Sequence, residues 1–184
     1  MRSTIFAATF LVTLLAGGCS TAPNGGMADA TQGVDIPIYA TTPTGPGQQI
    51  GMIHAMDGGN GLVLNAKLQG LTPGLHGFHV HENPSCAPSE QDGKMAPAMA
   101  AGGHYDPLHT GKHEGPIGAG HMGDLPPLVA GNDGVVDMSV TAPRLKLADI
   151  RNHALMIHAG GDNFADQPKP LGGGGARVAC GVVK

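Results

Sequence analysis

The sequence is poor in charged residues and in the residue types that build long helices. Asp, Glu, Lys and Arg make up only 13% of the 184 residues, whereas 41% are hydrophobic, a balance that excludes the disordered class. The scarcity of Glu, Lys, Arg and Leu also argues against long helices and coiled coils. The 31 glycines and 15 prolines are therefore interpreted as turn residues, and the composition predicts an all-β fold. The length predicts a single domain.

An excess of positive charge is also lacking. The formal net charge is -4, so the chain has no basic surface for a polyphosphate and we expect no nucleic-acid partner. Histidine, by contrast, is abundant: the ten histidines equal all lysines and arginines together. Because histidine is the commonest metal ligand, the composition alone predicts a metal site.

The N-terminal hydrophobic run is too short to span a membrane. It extends from Ile5 to Leu15, whereas a spanning helix needs ~20 residues, and this length is typical of a signal peptide, here residues 1–18. The following Leu15-Ala16-Gly17-Gly18-Cys19 resembles a bacterial lipobox, although Leu is usual where Ala16 stands. We therefore expect an exported protein, periplasmic or in the cell envelope, that contacts a membrane only through a lipid on Cys19. Residues 19–33 would be a flexible tether.

Lipidation of Cys19 would explain the odd number of cysteines. Cys86 and Cys180 then remain as a pair in an oxidising compartment. A bond between them would stabilise the fold by roughly 4 to 5 kcal/mol on the loop-entropy model. The alternative is two free thiols.

Short alternating segments predict seven or eight strands and hence a sandwich or barrel. The clearest is 61–69, where Leu62, Leu64, Ala66 and Leu68 share one face. A hairpin turn at 57–61 joins it to a partner strand at 48–57. Further candidate strands are 34–41, 75–81, 135–141, 153–158 and 177–183. The segments 82–133 and 159–175 show no strand period, and loops of this length are usually functional.

Six histidines and one aspartate form the candidate metal site. His79 and His81 are two apart on a predicted strand, so both rings project from one face while Phe78 and Val80 point to the other. The other candidates lie in the long loop or end a strand: His104, His113, His121, Asp124 and His158. Three histidines with one aspartate suit a closed tetrahedral zinc site, and an all-imidazole set suits copper.

Six consecutive motifs extend this argument over about residues 75–184. They are GFHVHENPSC, AGGHYDP, GKHEGP, GHMGDLP, ALMIHAGGDN and GGGGARVACG. In this order they resemble the copper,zinc superoxide dismutases of the bacterial exported type. The resemblance implies an eight-stranded Greek-key β-barrel with two long functional loops, here over residues 34–184. It also implies disproportionation of superoxide to dioxygen and hydrogen peroxide.

The resemblance implies two metal sites that share one histidine. Copper would be bound by His79, His81, His104 and His158, and zinc by His104, His113, His121 and Asp124. Asp162 would join a copper-side ring, His79, to a zinc-side ring, His113. Arg177 would attract and orient the superoxide anion, with Lys112 and Lys169 as weaker helpers. His104 would pass a proton during the reaction, and Cys86 and Cys180 match the disulfide of the family.

Some features lie outside this pattern. His109 is interpreted as a surface residue, with the alternative of a substitute zinc ligand, and His76, His54 and His153 as structural residues. The Met-rich insertion around 94–99 is a departure from the family pattern. The nine methionines of the chain as a whole are interpreted as core filler rather than as a copper-delivery device.

The competing functional hypothesis is a non-enzymatic exported carrier of copper and zinc. It also needs many histidines and methionines, but it needs neither Arg177 nor a shared His104. Monomer and homodimer both stay open, because members of the family differ and an apolar patch cannot be recognised from the sequence.

Overall fold

The computed structural model describes residue 1 and residues 33–184. Within 33–184 it has eleven strands, one short α-helix and two 3-10 helices, at Met99–Ala101 and Leu171–Gly173. The strands and the helix are β1 (Val34–Thr42), β2 (Gly45–Gly58), β3 (Gly61–Leu68), β4 (Gly74–His76), β5 (Phe78–His81), β6 (Ser89–Gln91), β7 (Lys94–Ala96), β8 (Leu128–Ala130), β9 (Val136–Ala142), α1 (Leu147–Ile150), β10 (Ala154–His158) and β11 (Arg177–Val182). The predicted signal peptide, the tether and Cys19 lie outside the described residues, apart from Met1 and Gly33.

Seven strands form one curled antiparallel sheet in the order β5-β10-β11-β1-β2-β3-β9, and β4 pairs with β8 beside it. β4 and β5 are one strand interrupted at Gly77, whose N–H donates to the Gly160 carbonyl (2.7 Å). Counted this way, β8 completes the eight strands expected for a Greek-key barrel, and the all-β prediction is confirmed. β6 and β7 form a separate hairpin.

The alternating pattern of β3 does what the sequence predicts. Leu62, Leu64, Ala66 and Leu68 are buried, and a two-residue turn places Gly58 opposite Gly61. The same inward faces of the other strands close one core, with Ile36 of β1, Ile53 of β2 and Phe78 of β5 fully buried. The core therefore supports the outer face of β5, on which the histidines stand.

The prediction of no strands in 82–133 is wrong for three short elements. The strands β6, β7 and β8 are three residues each, which is too short for an alternating pattern to show. In 159–175 the expectation of an irregular loop is confirmed except for the 3-10 turn at Leu171–Gly173. No helix among the described residues is long and apolar enough to cross a membrane.

Candidate metal centre

Two adjacent strands supply three of the buried histidines. His79 and His81 lie on β5, which pairs with β10, so that Met156 is opposite His79 and Ala154 is opposite His81. His158 is the last residue of β10. Phe78 and Val80 belong to the core on the other face, as the two-residue period predicts.

His104 joins these three rings from the long loop. An isolated bridge pairs its backbone with that of His81, and its ring stacks on His79 with centroids 3.9 Å apart. One potential ligand atom from each of His79, His81, His104 and His158 lies within 4.8 Å of the others. All four side chains are buried, so this group could hold one metal ion.

A second group surrounds Asp124. Its Oδ1 lies 3.0 Å from Nδ1 of His104, 3.0 Å from Nδ1 of His113 and 3.4 Å from Nδ1 of His121. Its Oδ2 accepts hydrogen bonds from the backbone N–H groups of Glu114 and Gly115, each 3.2 Å away, which fixes the carboxylate. Three imidazole nitrogens and one carboxylate oxygen are a donor set that suits zinc.

His79 is also close to this second group: one potential ligand atom from each of His79, His104, His113 and Asp124 lies within 4.8 Å of the others. His121 does not belong to that set of four. We assign His121 to the second group and His79 to the first. Nδ1 of His121 faces Asp124 at 3.4 Å, whereas His79 shares β5 with His81 and makes an edge contact with His158, with ring centroids 4.9 Å apart.

Five ring nitrogens in these groups are buried without a hydrogen-bond partner. They are Nδ1 of His79, Nε2 of His81, Nδ1 of His113, Nδ1 of His121 and Nε2 of His158. Buried polar atoms are nearly always hydrogen-bonded, so several orphaned nitrogens in one place need an explanation. Metal ions bound at these lone pairs would supply it, and the residues therefore fit a two-metal site.

Asp162 orients one ring of each group. Nε2–H of His79 donates to Asp162 Oδ2, and Nε2–H of His113 donates to Asp162 Oδ1, both at 2.7 Å. This carboxylate fixes both rings with Nδ1 free, which is how carboxylates commonly prepare histidines for a metal. Asp162 thus lies between His79 and His113 and bonds to both rings.

Burial keeps the rings of the first group neutral. Desolvation, reinforced by His104, lowers the pKa of His79 to about 3, and desolvation also lowers the pKa of His158 to about 4. Burial likewise holds the pKa of His81 well below its usual range. Neutral imidazole is the form that binds a metal, so these rings are ready to bind at neutral pH.

The carboxylates and His113 show the opposite balance. Burial alone would raise the pKa of Asp124, but the hydrogen bond with His104 and the ring of His113 beside it hold the pKa well below its usual range. Burial would also lower the pKa of His113, yet the hydrogen bond from its Nε2 to Asp162 and the nearby negative charge of Asp124 raise it to about 9. Asp124 is therefore ionised at neutral pH and can offer its carboxylate to a metal ion.

Arg177 lies at the mouth of the first group. A cavity of about 500 Å³ is lined by Arg177 together with His81, His104 and His158. The guanidinium donates to the backbone carbonyls of Ala98 (2.7 Å) and Gly102 (2.6 Å), which fixes its position. The cavity gives a small anion a path to the three rings and a fixed cation beside them.

The Cys86–Cys180 disulfide predicted from the sequence is present, with Cα atoms 5.7 Å apart. It packs with Ala98, Ala101 and Met156 in a small buried cluster. The loop that holds the guanidinium of Arg177 is thus tied to β11, the strand on which Arg177 lies.

The other four histidines have the roles that the sequence predicts. His109 is exposed and lies outside both groups. His76 is buried, and its ring nitrogens lie 2.6 Å from the His158 carbonyl and 2.8 Å from the Thr72 carbonyl. His54 pairs with Asp35 at the surface, and His153 bonds to the Glu82 carbonyl (2.7 Å).

Three supporting residues were not found from the sequence. Arg144 donates to the carbonyls of Gly120 and His121, at 2.7 and 3.1 Å, and so holds the loop that carries His121. Asp166 accepts from the backbone N–H of His113 (3.0 Å). Gly172 approaches Asp162 so closely that a side chain has no room. Only the glycine run 172–175 carried a signal, because repeated glycines indicate close backbone approach.

Together the barrel and its two histidine groups define a β-barrel protein that can hold two neighbouring metal ions beside an open, cationic cavity. The model of the copper/zinc superoxide dismutase family matches residues 50–183, and the chain belongs to this family. It is 57% identical to the copper-zinc superoxide dismutase of Brucella abortus over 150 residues, 81% of this chain and 87% of that one.

Two further comparisons agree. The chain is 53% identical to copper-zinc superoxide dismutase 2 of Salmonella typhimurium over 175 residues, which are 95% of this chain and 96% of that one. The solved structure of the Brucella abortus enzyme superposes with a TM-score of 0.82 at 56% identity, covering 83% of this chain and all (100%) of the other.

Proposed function

We propose that this chain is an enzyme that converts two superoxide anions and two protons to dioxygen and hydrogen peroxide, with copper and zinc as cofactors. The observation that carries the proposal is the convergence of five buried, unpartnered imidazole nitrogens on two adjacent points, one of them beside Arg177. The reaction is inferred from membership of the family, and the identity of the metals from the chemistry of the two sets of ligand atoms.

The assigned copper ligands are Nδ1 of His79, Nε2 of His81, Nε2 of His158 and Nε2 of His104. The assigned zinc ligands are Nδ1 of His104, His113 and His121 with Oδ1 of Asp124. When bound, copper supplies a reversible one-electron oxidation and reduction, whereas zinc has no redox chemistry and holds His104 in place. In support of the shared ring, Nδ1 of His104 lies 3.0 Å from Asp124 Oδ1, and the same residue lines the cavity together with His81 and His158.

Arg177 binds the substrate in this proposal. Its guanidinium is held by two backbone carbonyls, so it presents its remaining N–H groups to the cavity without a reorganisation cost. A charge-assisted hydrogen bond from Arg177 would orient superoxide toward the rings of His81 and His158. Lys112 and Lys169 are both exposed and would add only long-range attraction.

In this proposal His104 would carry the proton of the second half of the reaction, on Nε2, while that atom is not bound to copper. Its Nδ1 faces Asp124 at 3.0 Å, and the ring also lines the cavity, so Nε2 is the atom that can deliver a proton there. The non-enzymatic carrier is the weaker candidate, because a carrier needs neither a cation fixed at the cavity mouth nor one ring common to two groups.

The decisive experiment is metal analysis with a superoxide-consumption assay on the wild type and on His158→Ala. We expect the variant to lose copper and activity but to keep zinc, since His158 belongs to the first group only. His109→Ala is the matched control, because His109 is exposed on the same long loop as the zinc ligands. Full copper and activity in His158→Ala, or zinc loss in His109→Ala, would refute the ligand assignment.

Export with a lipid anchor is proposed from the sequence of the first 33 residues. Residues 1–18 would be removed as a signal peptide, Cys19 acylated, and residues 19–33 left as the tether of an enzyme domain at 34–184, in the periplasm or cell envelope. Cys19→Ser should move the mature protein from the membrane fraction to the soluble periplasmic fraction. Mass spectrometry of the wild type should find an acylated N-terminal cysteine, and an unmodified one would contradict the anchor.

A homodimer is proposed from one exposed apolar pair. Leu75 of β4 and Val129 of β8 lie directly opposite each other, and their exposures are 54% and 50%. A second copy covering this pair would remove apolar area from water. Light scattering should show a dimer that Val129→Lys converts to a monomer. A monomeric wild type would exclude the dimer.

A further inference from the structure

The methionines of the insertion do not fill the core. Met156 is buried among the cysteines, but Met95 is 50% exposed and Met99 is only partly buried. The core-filler interpretation is therefore wrong for this pair. Met99 lines the same cavity as His81, His104 and His158, so a methionine borders the space in front of the buried rings.

The backbone on both sides of Met99 is fixed. Ala98 and Ala101 are fully buried in the disulfide cluster, and Met99 starts the 3-10 turn between them. The carbonyls of Ala98 and Gly102 accept the two hydrogen bonds from Arg177. The side chain of Met99 is thus presented to the cavity by a rigid segment.

Outside the histidines, the residues that line the cavity offer an entering metal ion few ligand atoms. Among the described residues that line this cavity there is no carboxylate, and Arg177 places a positive charge at the mouth, which repels a divalent cation about twice as strongly as a monovalent one. Met99 is the sulfur-containing residue in that lining. Thioether sulfur is a soft, neutral ligand that selects Cu(I). Its bond to Cu(I) does not require a carboxylate beside it.

We propose that Met99 is the entry ligand for Cu(I): it binds the incoming ion at the cavity mouth and passes it by ligand exchange to the buried histidines. The proposal rests on the copper site proposed above. No electron is transferred in this step, because the ion arrives as Cu(I) and stays Cu(I) while nitrogen replaces sulfur.

The test is the rate of Cu(I) uptake by zinc-loaded, copper-free protein. Cu(I) is supplied without oxygen as its coloured bicinchoninate complex, and the loss of colour gives both the rate and the final stoichiometry. We expect Met99→Leu to slow uptake roughly tenfold, the size of effect that removing a supporting group at a metal site commonly has. The final copper content should equal that of the wild type, because the four histidines are unchanged.

Met95→Leu is the matched control. Met95 is on β7 next to Ala96, which lines the cavity, so its side chain points to the other face of the hairpin. Met95→Leu should take up Cu(I) at the wild-type rate. Uptake of Cu(II), which has little affinity for thioethers, should be equal in all three proteins and reports that Met99→Leu is folded.

Two results would overturn the proposal. One is wild-type Cu(I) uptake by Met99→Leu. The other is an equal slowing of Cu(I) and Cu(II), which would mean that Met99 only shapes the cavity. A wild-type protein that binds no Cu(I) would refute the copper site itself, and the stoichiometry separates that failure from a change in rate.

Discussion

At residue 172 a single methyl group would reach the carboxylate that joins the two histidine groups. A Cβ at Gly172 would lie 2.1 Å from Asp162 Oδ1 and 2.7 Å from His113 Nε2, and the φ of +70° is itself strained for alanine. We predict that Gly172→Ala displaces Asp162 and weakens zinc binding about 10- to 100-fold, as loss of such orienting contacts commonly does. Competition with a zinc-binding dye measures this.

Gly173→Ala separates the steric effect from backbone strain. Gly173 has a similar φ of +77°, but its nearest neighbour is Lys169 Cβ at 3.5 Å, an ordinary contact. Gly173→Ala should therefore bind zinc nearly as tightly as the wild type. Equal losses in the two variants would show that the left-handed backbone, and not the contact with Asp162, governs zinc binding.

A second prediction at the residue scale concerns Arg177. Arg177→Gln keeps a hydrogen-bond donor but removes the charge, and Arg177 is not a metal ligand, so copper and zinc contents should not change. Superoxide consumption should fall about tenfold or more, the general scale of electrostatic steering, and should depend less on ionic strength than that of the wild type. Pulse radiolysis at several salt concentrations measures both effects.

Arg151→Gln is the control for Arg177→Gln. Arg151 is exposed and donates to the carbonyl of Lys184, away from the cavity. Arg151→Gln changes the net charge by the same amount as Arg177→Gln, but its rate of superoxide consumption should remain near that of the wild type. If the two variants slow equally, overall charge and not the local cation attracts the substrate.

The residues of the candidate metal site could be predicted from the sequence because each one carries its chemistry in its side chain. His79 and His81 are two apart on a strand, which fixes their common face. Arg144 and Asp166 could not be found in this way, because they act on backbone groups of residues more than twenty positions away or in another loop. Which backbone group a charged side chain meets depends on the tertiary fold.

At the scale of elements, the disulfide connects the loop that positions Arg177 to β11. The two half-cystines are 94 residues apart, so loss of the disulfide should cost roughly 4 to 5 kcal/mol on the loop-entropy model. We predict that Cys86→Ser/Cys180→Ser lowers the melting temperature and also the rate of superoxide consumption, because the carbonyls of Ala98 and Gly102 lose their support. Calorimetry and the activity assay on metal-loaded protein measure these changes.

Reduction of the wild type provides the internal control. A phosphine reductant should reproduce both losses in the wild type and have no further effect on the double variant. A reduced, metal-loaded wild type with full activity and an unchanged melting temperature would show that the disulfide does not support Arg177.

Element prediction succeeded where the alternation was long and failed where pairing is short. β3 could be predicted because its buried residues recur at every second position over the whole strand. β8 pairs with β4 through only three residues, and its middle residue, Val129, is apolar yet exposed. Such a strand is defined by its partner and not by its own pattern.

At the scale of the whole molecule, the buried neutral histidines make the metal-free protein sensitive to acid. An unfolded histidine has a pKa of 6.5, whereas in the fold the pKa is about 3 for His79 and about 4 for His158. Between these values the unfolded chain binds more protons, so the free energy of unfolding decreases as the pH falls. His113, with its pKa raised to about 9, stabilises the fold below pH 6.5 and loses this contribution as the pH rises through 9.

The metal-free protein should therefore be most stable near neutral pH and should lose about 3 kcal/mol through His158 alone between pH 6.5 and 4. His158→Gln removes that titrating ring, so its unfolding free energy should fall less steeply over the same range. His109→Gln changes an exposed ring and should keep the wild-type slope. Urea unfolding of the three metal-free proteins at several pH values measures the slopes. Parallel curves for His158→Gln and the wild type would show that acid sensitivity arises elsewhere, since bound metal, which also competes with protons, is absent from all three samples.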